Sequence, residues 1–371
     1  MLAKGQTVIQ LMEKFAPKHL AVENDKIGLQ LGTLNKEISK VLVALDVTHE
    51  VVDEAIALGA NLIVAHHAII FRPLANLRTD TPMGALYEKL IKNDIAVYIS
   101  HTNLDVAEGG MNDWMAELVG IANPKPLEEL QSEKLYKLVA YVPKSHHQGV
   151  LDAVLAAGAG AIGDYSHCSF NTEGTGTFLP GEGTHPHLGS PGKLERAEEI
   201  RIETIVPDGL RSKVVQAMLK AHPYEEVAYD LYLLEQKGKS FGLGRVGKLD
   251  EPKTLAELTE VVKKGFDVPA ARVVGDPNRL IKKAAVLGGS GSRYIHHAIR
   301  QGADVLITGD IDYHTAHDAL MAGLSIIDPG HNSEKVMKRE VAELLGRMLE
   351  QSGSGTTVHA SEPNTEPFRF V

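Results

Sequence analysis

The sequence contains one cysteine, Cys168, in 371 residues. An intramolecular disulfide is therefore impossible, thiolate metal chemistry is removed, and a reducing compartment is expected. No stretch approaches the roughly 20 apolar residues needed to cross a bilayer. The N-terminal "MLAKGQTVIQLMEKFAPKHLAVEND" carries charges throughout and lacks the apolar segment of a signal peptide, so a cytoplasmic location is expected. Clustered positive charge is absent as well. The net charge is −10 and no Lys/Arg run occurs, which argues against binding to nucleic-acid backbones.

What remains is an ordinary globular composition, 43% hydrophobic and 23% charged, in a chain long enough for two or three folding units. From Thr7, the apolar positions Val8, Leu11, Met12 and Phe15 recur at helical spacing and end near Pro17. "KVLVALDV" reads as a buried strand, "THEVVDEAIALGA" as a helix N-capped by Thr48, and "NLIVAHH" as the next strand. "PMGALYEKLIKND" is a helix, and "IAVYISHTNLD" is a strand running into a loop. Alternating strands and helices predict a layered α/β domain.

The pattern changes near Pro124–Pro126. A strand "YKLVAYVP", a helix from "SHHQGVLDAVLAAGAGAIGDY", a Gly-rich loop to about Gly192, a strand "EEIRIETIVP", a helix "DGLRSKVVQAMLKAHP" and a strand "EVAYDLYLLE" follow in turn. That order predicts an inserted ferredoxin-like α+β domain over 130–236, between core halves at 1–126 and 238–371.

The two halves repeat one another. "GANLIVAHH" (59–67) aligns without gaps on "GADVLITGD" (302–310), an offset of 243, and "IAVYISHTNLD" (95–105) on "LSIIDPGHNSE" (324–334), an offset of 229. The fold expected is a duplicated layered α/β core with an inserted domain. Strand ends are where α/β proteins gather ligands, and here they carry His66 and His67, His101 and Asp105, Asp310, and His331 and Glu334. If the halves pack with approximate two-fold symmetry, these groups converge on one cleft. Such a mixed nitrogen and oxygen set suits zinc, iron or manganese better than calcium or magnesium. Two carboxylates among the ligands allow two ions about 3.5–4 Å apart, an arrangement that activates water for hydrolysis.

Each signal has an ordinary explanation beside it. Adjacent side chains on a regular strand point to opposite faces, so His66 and His67 reach one cleft only where the strand breaks. A second doublet, His296–His297, lies in the helical pattern "SRYIHHAIRQGA" and reads as packing or surface. His331 and Glu334, at i,i+3, can face one point on a helical turn.

"IVAHHAIIF", "SHTNLD", "TGDIDYH" and "DPGHNSEK" together resemble the GTP cyclohydrolase 1 type 2 homolog family, also described as NIF-three-like dinuclear metal-centre proteins. The resemblance covers roughly 1–126 and 238–371, and the insert, with "AHPYEEVAYDLY", resembles the PII/CutA-like module of longer bacterial members. It implies that His66, His67, Asp105, His331 and Glu334 ligate two divalent ions, with Glu334 bridging. It also implies a ring-shaped homohexamer whose metal sites face an internal cavity. One departure stands out: a "WDN" triplet common in the family is replaced by Asn24, Asp25 and Lys26, which bears on substrate class and leaves the ligands untouched.

Further candidates surround this set. Asp310 and His314, at i,i+4 on the start of a helix, could both face the cleft and read as general acid/base groups or as groups that orient a ligand, and His101 is a similar candidate. The turn at Ser290, Gly291 and Ser292 could hold an anion on its backbone amides. "GLGRVG" (242–247) is not read as a dinucleotide site, since no helix opens after it and no acidic ribose contact is evident. His146, His147, His167, His185 and His187 read as exposed loop residues of the insert. Two functions are carried forward. One is a metal-dependent hydrolase of a small anionic, nucleotide-like or pterin-precursor substrate. The other is a non-enzymatic metal-containing ring that binds an effector or protein partner.

Overall fold

The run "KVLVA" forms the strand Lys40–Ala44 at the heart of a five-stranded sheet. The order is Thr357–Ala360, Lys40–Ala44, Leu62–Ala65, Ala96–Ile99 and Gly28–Leu31, with parallel pairing throughout except at the last strand. These strands belong to a compact unit made of Met1–Leu130 and the chain from Phe241, while Gln131–Ser240 forms a second unit. The computed structural model describes residues 1–369.

The first unit holds a second sheet of matching plan. Leu280–Ser290, Val305–Gly309 and Ser325–Asp328 run parallel, and Arg272–Val274 closes one edge antiparallel. The registers correspond as well as the order. Val41 pairs with Leu62 and Leu62 with Ala96; in the second sheet Ala284 pairs with Val305 and Val305 with Ser325. Those positions differ by the offsets of 243 and 229 seen in the sequence.

Alternation along each strand assigns its two faces to different cores. Val41, Val43, Leu62 and Val64 share one buried cluster with Val286, Val305, Ile307 and Ile327, packed around Met12, Met115 and Leu345 from helices Gly5–Phe15, Met111–Leu118 and Val336–Gln351, and Phe266 at the end of helix Leu255–Gly265. Leu42, Ile63 and Val97 face the other way, onto helices His49–Leu58 and Pro82–Lys92. Leu306 and Ile326 likewise pack on Ile295, Ala298 and Ala319. Burial on both faces explains why these strands read as unbroken apolar runs. Thr48 caps helix His49–Leu58 by accepting from the amide of Val51, and Gly59 ends it at φ 70, a left-handed conformation that glycine adopts without steric cost.

In the second unit the strand order is 229–240, 131–143, Glu195–Pro207 and Ser169–Phe178, the first two being the parts of the longer strands Tyr229–Thr254 and Ile121–Pro143 that belong to this unit, with helices His147–Ala156 and Arg211–Ala221. The β-α-β-β-α-β run is that of a split βαβ unit, and its core is built from Leu138, Val150, Val154, Ile202, Val214 and Met218. Three local expectations are corrected. The Gly-rich passage contains a strand, Ser169–Phe178, paired antiparallel with Glu195–Pro207 over ten residue pairs. Backbone pairing holds it where few apolar side chains announce it. The helix expected over "SHHQGVLDAVLAAGAGAIGDY" ends at Ala156, because Gly158 and Gly160 take positive φ. The loop expected after "IAVYIS" begins as a short helix, Thr102–Val106. Gly242–Gly247 lies inside the strand Tyr229–Thr254, away from any strand-to-helix turn. Among the described residues no helix is long and apolar enough to cross a membrane.

Candidate metal centre

Strand Leu62–Ala65 stops one residue before His66, and this break lets both histidines turn toward the same place. Their ring centroids are 5.2 Å apart. His101 follows strand Ala96–Ile99, and Asp105 sits in the short helix behind it. From the second sheet, His331 and Glu334 occupy a single 3-10 turn after strand Ser325–Asp328. His66, Asp105 and Glu334 are buried, and His66 is wholly inaccessible to solvent.

Glu334 is the hub. Its Oε2 lies 3.0 Å from Nε2 of His67 and 3.3 Å from Nε2 of His331, while Oε1 lies 3.7 Å from Nε2 of His66. Nε2 of His66 is also 3.6 Å from Oδ1 of Asp105. These last two separations exceed a hydrogen bond, and both His66 Nε2 and Asp105 Oδ1 are buried without a hydrogen-bond partner among the described residues. Three groups of candidate ligand atoms overlap here: His66, His67 and His101; His67, His331 and Glu334; and His66, Asp105 and Glu334.

The orientation of the rings is uniform. Nδ1–H of His66 donates to the carbonyl oxygen of Ser100 at 3.0 Å, and Nδ1 of His67 meets Asp46 at 2.7 Å. Nδ1 of His101 meets Asp25 at 2.9 Å and Nδ1 of His331 meets Asp310 at 2.7 Å. Each ring therefore has its Nδ1 held by an oxygen and its Nε2 left for the cluster. That is the arrangement by which outer carboxylates and carbonyls orient metal-ligating histidines. Asp46 and Asp25 are held in turn: Asp46 accepts from Thr365, and Asp25 from the amide of Thr102 at 3.0 Å.

Electrostatics favour a cation at this point. Burial pushes the Asp105 carboxyl up to about 6; His66 opposes the push and Glu334 adds to it. Burial also works against ionising Glu334, but the three histidines outweigh it and hold Glu334 well below the usual carboxylate range. Burial opposes charge on His67, yet its bonds to Asp46 and Glu334 raise it to about 10. The Glu334 bond raises His331 to about 9, against a smaller opposing effect of burial and with support from Asp310. Protonated imidazoles thus balance the buried carboxylates, a role that divalent cations bound to the same nitrogens would take over. The donor set, the two orphaned buried atoms and the ring orientations all fit a metal.

Two glycines make the approach of Glu334 feasible. A Cβ at Gly289 (φ 65) would sit 2.7 Å from Oε1 of Glu334, and one at Gly288 would sit 3.1 Å from it. Gly289→Ala is expected to cost about 1–2 kcal/mol in backbone strain and to displace the carboxylate. A lowered unfolding midpoint together with reduced metal uptake checks this. Asn112 joins the two halves by donating to the carbonyl of Asp105 at 2.9 Å and accepting from the amide of Gly288 at 3.0 Å.

The remaining candidates fall in different places. His101, taken from sequence as an acid/base group, lies inside the cluster, its ring 4.8 Å from that of His66. Asp310 holds His331. His314 is exposed in the first turn of helix Tyr313–Met321 with its ring against Tyr313, and it is not in the cluster. At the glycine turn, the Gly291 amide donates to the carbonyl of Gly309 and the Ser292 hydroxyl to that of Asp310, so both donors are engaged; Ser290 ends its strand. His297 sits 3.7 Å from Glu128, and neither it nor His296 joins the cluster. Asp46 and the glycine pair had not been singled out. Their only sequence signal is an acid directly after an apolar strand and a doubled glycine at a strand end.

An α/β scaffold whose strand ends bring together buried His/Glu clusters compatible with a metal site defines the class of this protein. The chain belongs to the Duf34/NIF3 (NGG1p interacting factor 3) family, whose model matches residues 3–367. It is 56% identical over 370 residues to a GTP cyclohydrolase 1 type 2 homolog of Halalkalibacterium halodurans, covering all of both chains. It is 51% identical over 367 residues to the Bacillus subtilis protein of that name, covering 99% of this chain and 98% of the relative. The crystal structure of a Bacillus cereus protein related to NIF3 superposes with a TM-score of 0.90 at 52% identity, covering 100% of this chain and 99% of that one.

Proposed function

We infer that the chain is a dinuclear divalent-metal protein acting as a hydrolase on a small anionic, nucleotide-like substrate. The observation that carries this reading is the divided carboxylate of Glu334, with Oε2 toward His67 and His331 and Oε1 toward His66. It supports one ion held by His67, His331 and Glu334 and another by His66, Asp105 and Glu334, with His101 within reach. Zinc, iron or manganese suits these donors. Such ions supply Lewis acidity and lower the pKa of bound water. The correspondence of strand order and register between the two sheets supports a duplicated core, with one such ion-binding end contributed by each half.

The protein's own groups do the rest. Ser100, Asp46, Asp25 and Asp310 hold the four imidazoles in one tautomer. Asp310 engages His331 through Oδ2, which leaves Oδ1 to accept a proton at the edge of the cleft, a better placement than that of His314. A cavity of about 910 Å³ opens beside the cluster, lined by Asp46, His67, Asp310, His331 and Arg272. Arg272 donates to the carbonyl of Ile311 at 2.8 Å and pairs with Asp328, a buried carboxylate that also accepts from the amides of Ile311 and Gly330. A guanidinium anchored at one end and half open to the cavity is suited to an anionic group of the substrate. Arg272→Ala is expected to weaken binding of inorganic phosphate to the metal-loaded protein by about tenfold, read by calorimetric titration, with metal content unchanged.

The name shared by the relatives points to GTP as the first substrate to try. The test is a panel of nucleotides and phosphoesters incubated with metal-loaded protein beside His67→Ala and Glu334→Ala variants. Turnover that disappears in both variants supports a hydrolase. A second reading, a metal-containing regulatory ring that assembles as a homohexamer and binds an effector, is favoured by the cavity in the Gln131–Ser240 unit. It is supported by absence of turnover with effector binding intact.

A further inference from the structure

The unit Gln131–Ser240 contains a cavity of about 560 Å³, within the size range of small-molecule sites. Its walls are mostly apolar and include Phe178, Tyr224, Pro186 and Leu188. The rings of Phe178 and Tyr224 stand 5.8 Å apart at 60°. Into this lining the strand Glu195–Pro207 delivers Glu199, which is 9% exposed.

Glu199 has one neutral hydrogen-bond donor, and burial holds His222, a basic group that interacts with it, below the usual imidazole range. The Tyr224 hydroxyl donates to Oε1 at 3.0 Å, and among the described residues no cation pairs with the carboxylate. Of the other charged groups along the lining, Glu173 is engaged with Lys144 at 3.0 Å, Glu225 with the amide of His185 at 2.9 Å, and Arg201 with Glu203 at 2.9 Å, while Glu226 adds further negative charge. A carboxylate so buried, with one neutral donor, carries a desolvation cost that a cation would relieve.

The space beside Glu199 is made by glycine. Gly174 is its direct partner on strand Ser169–Phe178, and a Cβ there would meet nothing within 4 Å. Gly176, two residues on and on the same face, leaves room for the carboxylate itself, since a Cβ there would collide with Oε2. A buried acid beside two glycines, roofed by aromatic rings, has the ingredients of a site for an organic cation: a charge-assisted hydrogen bond for the ammonium group and ring faces for its apolar body.

We propose that this cavity binds a small organic ammonium ligand, with the cation on Glu199 and the apolar body against Phe178 and Tyr224. The site is separate from the histidine cluster and does not depend on the metal reading. The test uses the full chain titrated by calorimetry with benzylammonium and with its neutral counterpart, benzyl alcohol. Wild type is expected to bind benzylammonium about tenfold more tightly than the alcohol. Glu199→Gln keeps an acceptor for Tyr224 and removes the charge, so the preference should fall to about twofold or less. Gly174→Leu, whose side chain would enter open space, should remove binding of both probes while metal content and unfolding midpoint stay at wild-type values. Equal binding of the two probes to wild type would overturn the proposal. So would a preference that survives in Glu199→Gln, or binding that survives in Gly174→Leu.

Discussion

Glu334→Ala is expected to lower metal affinity by more than about 100-fold and to leave a folded chain that retains little metal after dialysis. The magnitude follows from the position of the group. Loss of an outer partner of a ligating histidine typically weakens metal binding by about 10–100-fold, and Glu334 lies inside that shell, facing three histidines at once. Asp46→Ala supplies the comparison. Within the cluster its carboxylate touches only Nδ1 of His67, so the expected loss is about tenfold and concerns the ion on the His67 side. Metal analysis of the two variants, with circular dichroism to confirm folding, separates the hub from the orienting group. Equal and small losses in both would contradict a shared carboxylate.

Asp113→Ala is expected to destabilise the first unit by about 3 kcal/mol, because it leaves a buried guanidinium unpaired. Arg245 is 4% exposed. Its Nη2 donates to Asp113 at 2.9 Å and to the carbonyl of Ala107 at 3.1 Å, and its Nη1 donates to the carbonyls of Gly242 and Gly244. One side chain thus holds the turn before helix Met111–Leu118 against the strand carrying "GLGRVG". Arg78–Asp80 is a natural control, since both side chains are about two-thirds exposed and solvent screening leaves such pairs little net effect. Denaturant unfolding of Asp113→Ala and Asp80→Ala should give shifts that differ severalfold. Similar shifts would mean that Arg245 finds other compensation.

The residues of the cluster were legible as a group because they sit at the ends of strands whose apolar runs are unambiguous, and because the runs recur at fixed offsets. The pairing registers Leu62–Ala96 and Val305–Ser325 fall at those offsets. Legibility ended where geometry depends on a local boundary. Placing Asp310 and His314 on one helical face assumed a helix beginning at Asp310. The helix begins at Tyr313 after an Asp312 cap, and Asp310 takes φ 58, so the two residues do not share a face. The strand Ser169–Phe178 was hidden because its glycines and threonines pack little and its place is fixed by backbone pairing with a distant segment. The roles of Asp46 and Gly289 could not be read at all, since each is defined by its distance to a residue far away in the chain.

Anomalous scattering from crystals of metal-loaded protein decides whether two cations share Glu334. Data collected at the absorption edge of the bound metal should show two peaks within coordination distance of Glu334, one beside His67 and His331 and the other beside His66 and Asp105. A map with no peak near Glu334, or with metal bound elsewhere on the chain, would contradict the account.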